Sequence, residues 1–276
     1  MARIGVDYEA AGRAIAPDFI GLSYESAVVA ANDFFTADNR MLLRLLRTLG
    51  PKGVLRVGGN TSERTRWTTQ DTAAPKETFL ITPPAIDRLA GFLRALGWQL
   101  IYGLNLATGT PEQAAAEAVY VAHAVGPLLL AFQIGNEPDG FGRWSDVRPK
   151  TYDVAAFLGE WRRFHAAIRA AVPDAPFAGP DVAAETGWIA PFADATPAGL
   201  VMLTRHYYAD GPASNPAVTL TKLMRSADQI IPVLAEMAAI GTAHRLPWRI
   251  AETNSVYAGG RPGVSDTLGA ALWAPS

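Results

Sequence analysis

The chain of 276 residues contains no cysteine. That removes disulfides, thiolate metal ligands and a cysteine nucleophile, while leaving both reducing and oxidising compartments open. It also lacks an excess of either charge: 24 Lys and Arg stand against 26 Asp and Glu, a net charge of -2 with no long block of one sign. Nucleic acid and anionic membranes are therefore excluded as main partners. No uninterrupted apolar run reaches the roughly 18 residues of a membrane span. The first residues carry Asp7, Glu9 and Arg13 where a signal peptide needs an apolar stretch. The chain as it stands reads as soluble, either cytoplasmic or secreted with its leader removed. Three of its histidines, His123, His165 and His244, fall on helices or near a helix end, and no HExxH-type spacing occurs, so no metal and no cofactor are expected.

What is present is apolar and periodic. With 49% hydrophobic residues the chain can bury a large core. Short runs rich in Val, Ile, Leu and Tyr predict strands at Phe19–Glu25, Val54–Asn60, Gln99–Leu106, Ala131–Glu137, Phe177–Ala183, Leu200–Tyr208 and Trp248–Ser255. Helical spacing predicts helices at Arg40–Leu49, Pro84–Leu96, Pro111–Val125, Tyr152–Ala171, Thr219–Ile240 and Val264–Trp273, several with proline near the first turn. Alternation of this kind implies a parallel sheet covered by helices. The stretch "GLSYESA" after the first strand has no glycine-rich nucleotide fingerprint, which favours a (β/α)8 TIM-type barrel over an open nucleotide-binding sheet.

Two of the strand ends carry glutamates, Glu137 in "AFQIGNEPDG" and Glu252 in "WRIAETNS". In a barrel such ends share one rim, so their side chains can converge. Paired carboxyls are what glycosidic bond cleavage requires: one protonates the leaving oxygen, the other attacks or stabilises the cationic sugar. Taken singly, Glu137 also reads as a loop-start residue before Pro138, and Glu252 as a strand-end carboxylate in an ion pair.

"IGNEPD" and "RIAETNSVYAGGRPGVSDT", together with "GLSYE", "VLRVGGNTS" and "RHYY", resemble the motifs of glycoside hydrolase family 79, the β-glucuronidase and heparanase group within the clan of retaining barrel glycosidases. The resemblance implies a retaining β-glucuronidase that cleaves terminal β-linked uronic acid by double displacement, and as partner a β-glucuronide or a glycan containing uronic acid. It implies Glu137 as acid/base, Glu252 as nucleophile, and Asn136 as the partner of the sugar 2-hydroxyl. Glu137 must then hold its proton near neutral pH while Glu252 stays ionised. Arg56 and Tyr208 are implied as donors to Glu252; for each, an ordinary structural role stays open. His206 shares a strand face with Tyr208 and is expected either to support the acid/base region or to be a satisfied core histidine. In "VYAGG", Tyr257, Ala258 and Gly259 occupy the places that bind the uronic acid carboxylate, with a tight turn as the alternative. Glu25 and Asn60 are candidates for sugar hydroxyls, and Trp67 or Trp144 for stacking on a sugar face, with packing as the alternative.

Residues 1–17 resemble the family's leading strand, which joins a β-sandwich, and residues 18–276 resemble a barrel that stops after its seventh βα unit, with no eighth strand and no sandwich. The expectation is therefore a fragment or truncated reading frame, with a C-terminal segment as a possible missing partner. Alternatives of other kinds are a non-catalytic or partner-dependent carbohydrate-binding barrel piece, and a retaining glycosidase of another sugar specificity.

Overall fold

The computed structural model describes residues 9, 12, 14–31, 33–195 and 199–273, the side chains of 227 and 272 apart. The leading strand expected within residues 1–17 lies largely outside the described residues. In chain order the elements are β1 (Gly21–Glu25), α1 (Ala27–Ala30), α2 (Arg40–Leu49), β2 (Val54–Gly58), β3 (Thr65–Trp67), β4 (Phe79–Ile81), α3 (Pro83–Leu96), β5 (Gln99–Leu104), α4 (Pro111–Val125) and β6 (Leu129–Ile134). There follow α5 (Val154–Ala171), β7 (Phe177–Val182), α6 (Ile189–Ala195), β8 (Leu200–Asp210), α7 (Leu220–Met224), α8 (Ile230–His244), β9 (Trp248–Val256) and α9 (Leu268–Trp273).

Seven strands form one parallel sheet in the order β1-β2-β5-β6-β7-β8-β9. The sheet curls into a nearly closed barrel with helices between its strands, as the alternation predicted. Among the described residues no ladder joins β1 to β9. The seam is bridged instead by Arg249 of β9, whose guanidinium donates to the carbonyls of Asp18 and Phe19 just ahead of β1.

Helix starts follow the sequence signals. Thr110 and Asp153 accept side-chain bonds from the amides of Gln113 and Ala156, capping α4 and α5, and Pro111 opens α4. The helix expected over Thr219–Ile240 is two, α7 and α8, separated by a turn at Ala227–Gln229. Pro232 explains the break: without an amide hydrogen it is tolerated only in a first turn, so the helix has to restart just before it. The Ser226 hydroxyl helps close α7 by donating to the Leu223 carbonyl. The short α6, carrying Pro191, and the small parallel pair β3 and β4 leave too few periodic residues to be read from sequence.

Strand periodicity of two builds the barrel interior in layers. Val54, Ile101, Ala131, Ala178 and Met202 form a buried apolar floor. Two residues further along their strands stand the buried Arg56, Gln133 and Thr204, so the next layer up is polar. The larger apolar core fills the space between the outside of the sheet and the helices. Two glycines at the end of β2 make room for charged side chains at the rim. A Cβ on Gly58 would come within 2.8 Å of the Arg56 guanidinium, and one on Gly59, whose φ is +71°, would strike the Glu25 carboxylate.

Candidate active site

Arg56, 3% exposed, is the hub of the polar layer. Its Nε donates to Gln133 Oε1 at 3.0 Å, one terminal nitrogen donates to Ser23 Oγ at 2.9 Å and Glu252 Oε2 at 2.6 Å, and the other donates to Asn136 Oδ1 at 2.7 Å and Asp181 Oδ2 at 2.6 Å. Gln133 passes the network on, donating to Asp181 Oδ1 and Thr204 Oγ1. A planar cation with a fixed fork of donors is the side chain suited to so many acceptors at once.

Glu252 accepts a second bond, from the Tyr208 hydroxyl at 2.5 Å. Burial favours its neutral form, but the charges of His206 and Arg56 and the Tyr208 bond outweigh burial and hold its pKa below the ordinary carboxylate value. Tyr208 is correspondingly raised, by burial first and by the neighbouring Glu252.

His206 is fully buried between carboxylates. Its Nδ1 lies 2.8 Å from Glu137 Oε1, and its Nε2 lies 3.2 Å from Asp181 Oδ1, an ion-pair contact off the axis of an aligned hydrogen bond. Burial disfavours an imidazolium, yet Asp181 and the bond to Glu137 outweigh it and raise the pKa to about 10. Asp181 lies well below the usual range: burial opposes its charge, but Arg56 and His206 overcome it. At neutral pH His206 is thus a cation donating to Glu137.

Glu137 sits just past β6 in a left-handed conformation, φ 48° and ψ 50°, where a residue before proline would ordinarily be extended. Its amide donates to the Asp181 carbonyl at 3.0 Å, and the turn Pro138–Gly140 that follows is closed by the Gly140 amide on the Glu137 carbonyl. Asp139 pins that turn to the loop after β7, accepting from the amides of Ala183, Ala184 and Glu185. The backbone strain is on the order of 1–3 kcal/mol and is held by these contacts.

Ligand atoms of Glu137, His206 and Glu252 all lie within 4.8 Å of one another. The trio is near enough to converge on one ion, for which His206 would have to give up the proton it shares with Glu137. Glu137, just past β6, and Glu252, within β9, thus bring two carboxyls to one place in the barrel.

The expected site residues divide. Glu137, Glu252, Asn136, Arg56, Tyr208 and His206 meet in one cluster. Asn60 touches it, its Oδ1 accepting from Asn136 Nδ2 at 3.2 Å. Glu25 does not join the bonded cluster: its carboxylate accepts from the amide and hydroxyl of Thr61. Tyr257 stands edge-on to Tyr208, with ring centroids 6.1 Å apart, and Ala258 and Gly259 extend beyond it on an exposed loop with φ of 63° and 89°. Trp67 packs against Tyr120, whereas Trp144 is 56% exposed beside Gly140.

Sequence reading missed Asp181, Gln133, Ser23 and Thr204. A signal existed in the period-two phase: Gln133 shares the inward face of Ala131, and Thr204 that of Met202, so both are polar residues on an interior stripe. Glu63 was missed as well. It is a buried carboxylate on the turn Asn60–Arg64, pushed up to about 7 by burial against opposing bonds from Ala107 and Asn136.

Comparison with known proteins agrees with this architecture. No family model matches the chain. A β-glucuronidase of Aspergillus niger is 28% identical over 85% of the chain and 50% of its own length. A β-glucuronidase of Neurospora crassa is 29% identical over 86% of the chain and 49% of its own length. A heparanase of Rattus norvegicus is 25% identical over 68% of the chain and 37% of its own length. The chain spans about half the length of the curated β-glucuronidases it matches. Among solved structures, a 4-O-α-L-rhamnosyl-β-D-glucuronidase of Fusarium oxysporum superposes with a TM-score of 0.78 at 21% identity, covering 94% of this chain and 59% of that one. A family 51 α-L-arabinofuranosidase of Bifidobacterium longum has a TM-score of 0.60 at 14% identity, over 87% of this chain and 56% of its own.

Proposed function

We propose that this chain, similar over most of its length to curated β-glucuronidases, belongs to a retaining β-glucuronidase of the glycoside hydrolase family 79 kind, acting on a terminal β-linked uronic acid or a glycan that contains one. The observation that carries the reading is that one carboxylate oxygen of Glu137 and one of Glu252 lie within 4.8 Å of each other, with His206 beside both. Retaining pairs lie about 5–5.5 Å apart, whereas inverting pairs leave about 6.5–9.5 Å for a water.

In the first step a Glu252 oxygen attacks the anomeric carbon, the bond from that carbon to the leaving oxygen breaks, and Glu137 gives its proton to the leaving oxygen. In the second, water attacks the same carbon, Glu137 takes a proton from it, and Glu252 departs as a carboxylate. Arg56 and Tyr208 keep Glu252 ionised for the first step. His206 occupies Glu137 Oε1 as a donor, which leaves Oε2 as the oxygen that carries the transferred proton. Asn136, gripped by Arg56 through Oδ1, keeps an Nδ2 hydrogen for the sugar 2-hydroxyl. Tyr257, Ala258 and Gly259, next to Tyr208, are the assignment for the uronate carboxylate, and Asn60 for a further hydroxyl.

Incubation with a 2-deoxy-2-fluoro β-glucuronide tests the mechanism: the sugar should be trapped on Glu252, and a label on any other residue contradicts it. Turnover of 4-nitrophenyl β-glucuronide should exceed that of the neutral β-glucoside; the reverse preference assigns another sugar. The unladdered seam between β1 and β9, beside the strand of Glu252, favours a second reading in which a further segment or partner completes the pocket. Saccharide binding without turnover by this chain alone would favour that reading.

A further inference from the structure

We infer that Glu63 is a positioning residue of this active site, a carboxylate clamp that sets the peptide unit carrying Glu137. The inference rests on the glycosidase reading above and adds to it a residue that touches neither the reacting carbon nor the leaving oxygen.

The clamp is visible in the bonding of its two oxygens. Glu63 Oε1 accepts from the Asn136 amide at 2.6 Å, and Oε2 accepts from the Ala107 amide, also at 2.6 Å. The backbone of the same stretch is tied to the same rim: the Glu63 carbonyl accepts from the Thr108 hydroxyl, and the Thr65 carbonyl from Asn105 Nδ2. One buried side chain on the turn after β2 thus fastens the tips of β5 and β6.

The fastening matters because of where Asn136 stands. The peptide unit between Asn136 and Glu137 is flanked by two amide anchors, Asn136 to Glu63 and Glu137 to the Asp181 carbonyl. The next residue, Pro138, has no amide hydrogen with which to add a third. Glu137 holds a left-handed backbone there, so it depends on its surroundings to stay in place. Removing one anchor lets the unit turn about the other, and the catalytic carboxyl moves with it. The Asn136 side chain has separate supports in Arg56 and Asn60 and is less affected.

A carboxylate is the group this geometry asks for. Two amide donors arriving from different strands need two acceptors, and a glutamine offers one acceptor and one NH2 group, which faces the second amide donor to donor.

The test is Glu63→Gln, assayed on two glucuronides by kcat/KM, which reports the glycosylation step, at a pH above about 7, where Glu63 is ionised. With phenyl β-glucuronide, whose leaving group needs the proton of Glu137, we expect a loss of about 10–100-fold, the scale of an ångström-level misplacement. With 2,4-dinitrophenyl β-glucuronide, whose leaving group needs no proton, the loss should stay under about 3-fold. Equal losses on both substrates, or no loss on either, overturn the inference. A second measurement reads the clamp without turnover: in amide NMR of the wild type, Asn136 and Ala107 should be shifted downfield and slow to exchange, and at least one should lose both properties in Glu63→Gln. Unchanged amides overturn the clamp. A wild-type chain that hydrolyses neither glucuronide overturns the glucuronidase reading, and the amide signals still decide whether Glu63 fastens Asn136.

Discussion

A terminal nitrogen of Arg56 lies 2.6 Å from Glu252 Oε2, joining a guanidinium and a carboxylate 196 residues apart in the chain. The same guanidinium bonds Asp181, Asn136, Gln133 and Ser23, so the ionisation of Glu252, the setting of Asn136 and the charge on Asp181 all depend on one side chain.

Arg56→Lys tests this dependence with the charge kept. A lysine carries three donors on one point and cannot replace a fork serving acceptors on several strands. The expected result is a loss of about 100-fold or more in kcat/KM, with slower labelling of Glu252 by the fluorinated glucuronide. Arg56→Ala should also lower the unfolding free energy, by about 3–5 kcal/mol, because it leaves buried carboxylates unpaired; urea melts check this.

Asp181→Asn should change the charge of His206. In the wild type the imidazolium persists to about pH 10. Because this pKa is raised above the ordinary 6.5, the stability it contributes is full below about 6.5 and is lost as the pH rises through 10. Without the Asp181 charge, burial is opposed only by Glu137 and Glu252, and the pKa falls. NMR titration should find His206 non-titrating from pH 5 to 8 in the wild type and titrating or neutral in that interval in the variant. Activity of the variant should decline across the same interval.

Glu137→Ala should lose about 100- to 10,000-fold on phenyl β-glucuronide, the usual scale of general acid–base catalysis. Added azide should restore turnover of an activated glucuronide and yield the β-configured glucuronosyl azide. An α-configured product would rule out double displacement.

Glu117 gives a prediction away from the site. It is buried on α4, accepts a 2.6 Å bond from the Tyr102 hydroxyl, and is raised from 4.5 to about 7, burial outweighing that bond. A raised carboxyl favours the folded state most below its unfolded pKa, so stability should fall as the pH climbs from about 4.5 to about 7, by on the order of 3 kcal/mol. Glu117→Gln should lessen that slope in urea melts at successive pH values, leaving the part contributed by Glu63, which is raised to about 7 as well.

Much of the barrel is legible in the chain because strand and helix periods are local properties. The ranges Arg40–Leu49 and Pro111–Val125 are helices with the expected bounds, and each strand of the main sheet begins within two residues of its expected start. The lapses have local causes too: Pro232 divides one expected helix, and α6 is too short to show a period. Glu137 and Glu252 stand out as acids that end apolar runs. Gln133 looks, in "LLLAFQIGNE", like one polar interruption, and Glu63 like one charged residue in a turn.

Residue order alone settles the alternation of strands with helices, the rim on which polar residues gather, and the two glutamates set there, since each follows from the chemistry of a few neighbouring residues. Which groups meet was left to folding. Asp181 becomes the counterion of both Arg56 and His206, and Glu63 the clamp on Asn136, only when strands distant in the chain are laid side by side. Burial then strips away water, and charges that would be screened in solution set one another's protonation across a few ångströms.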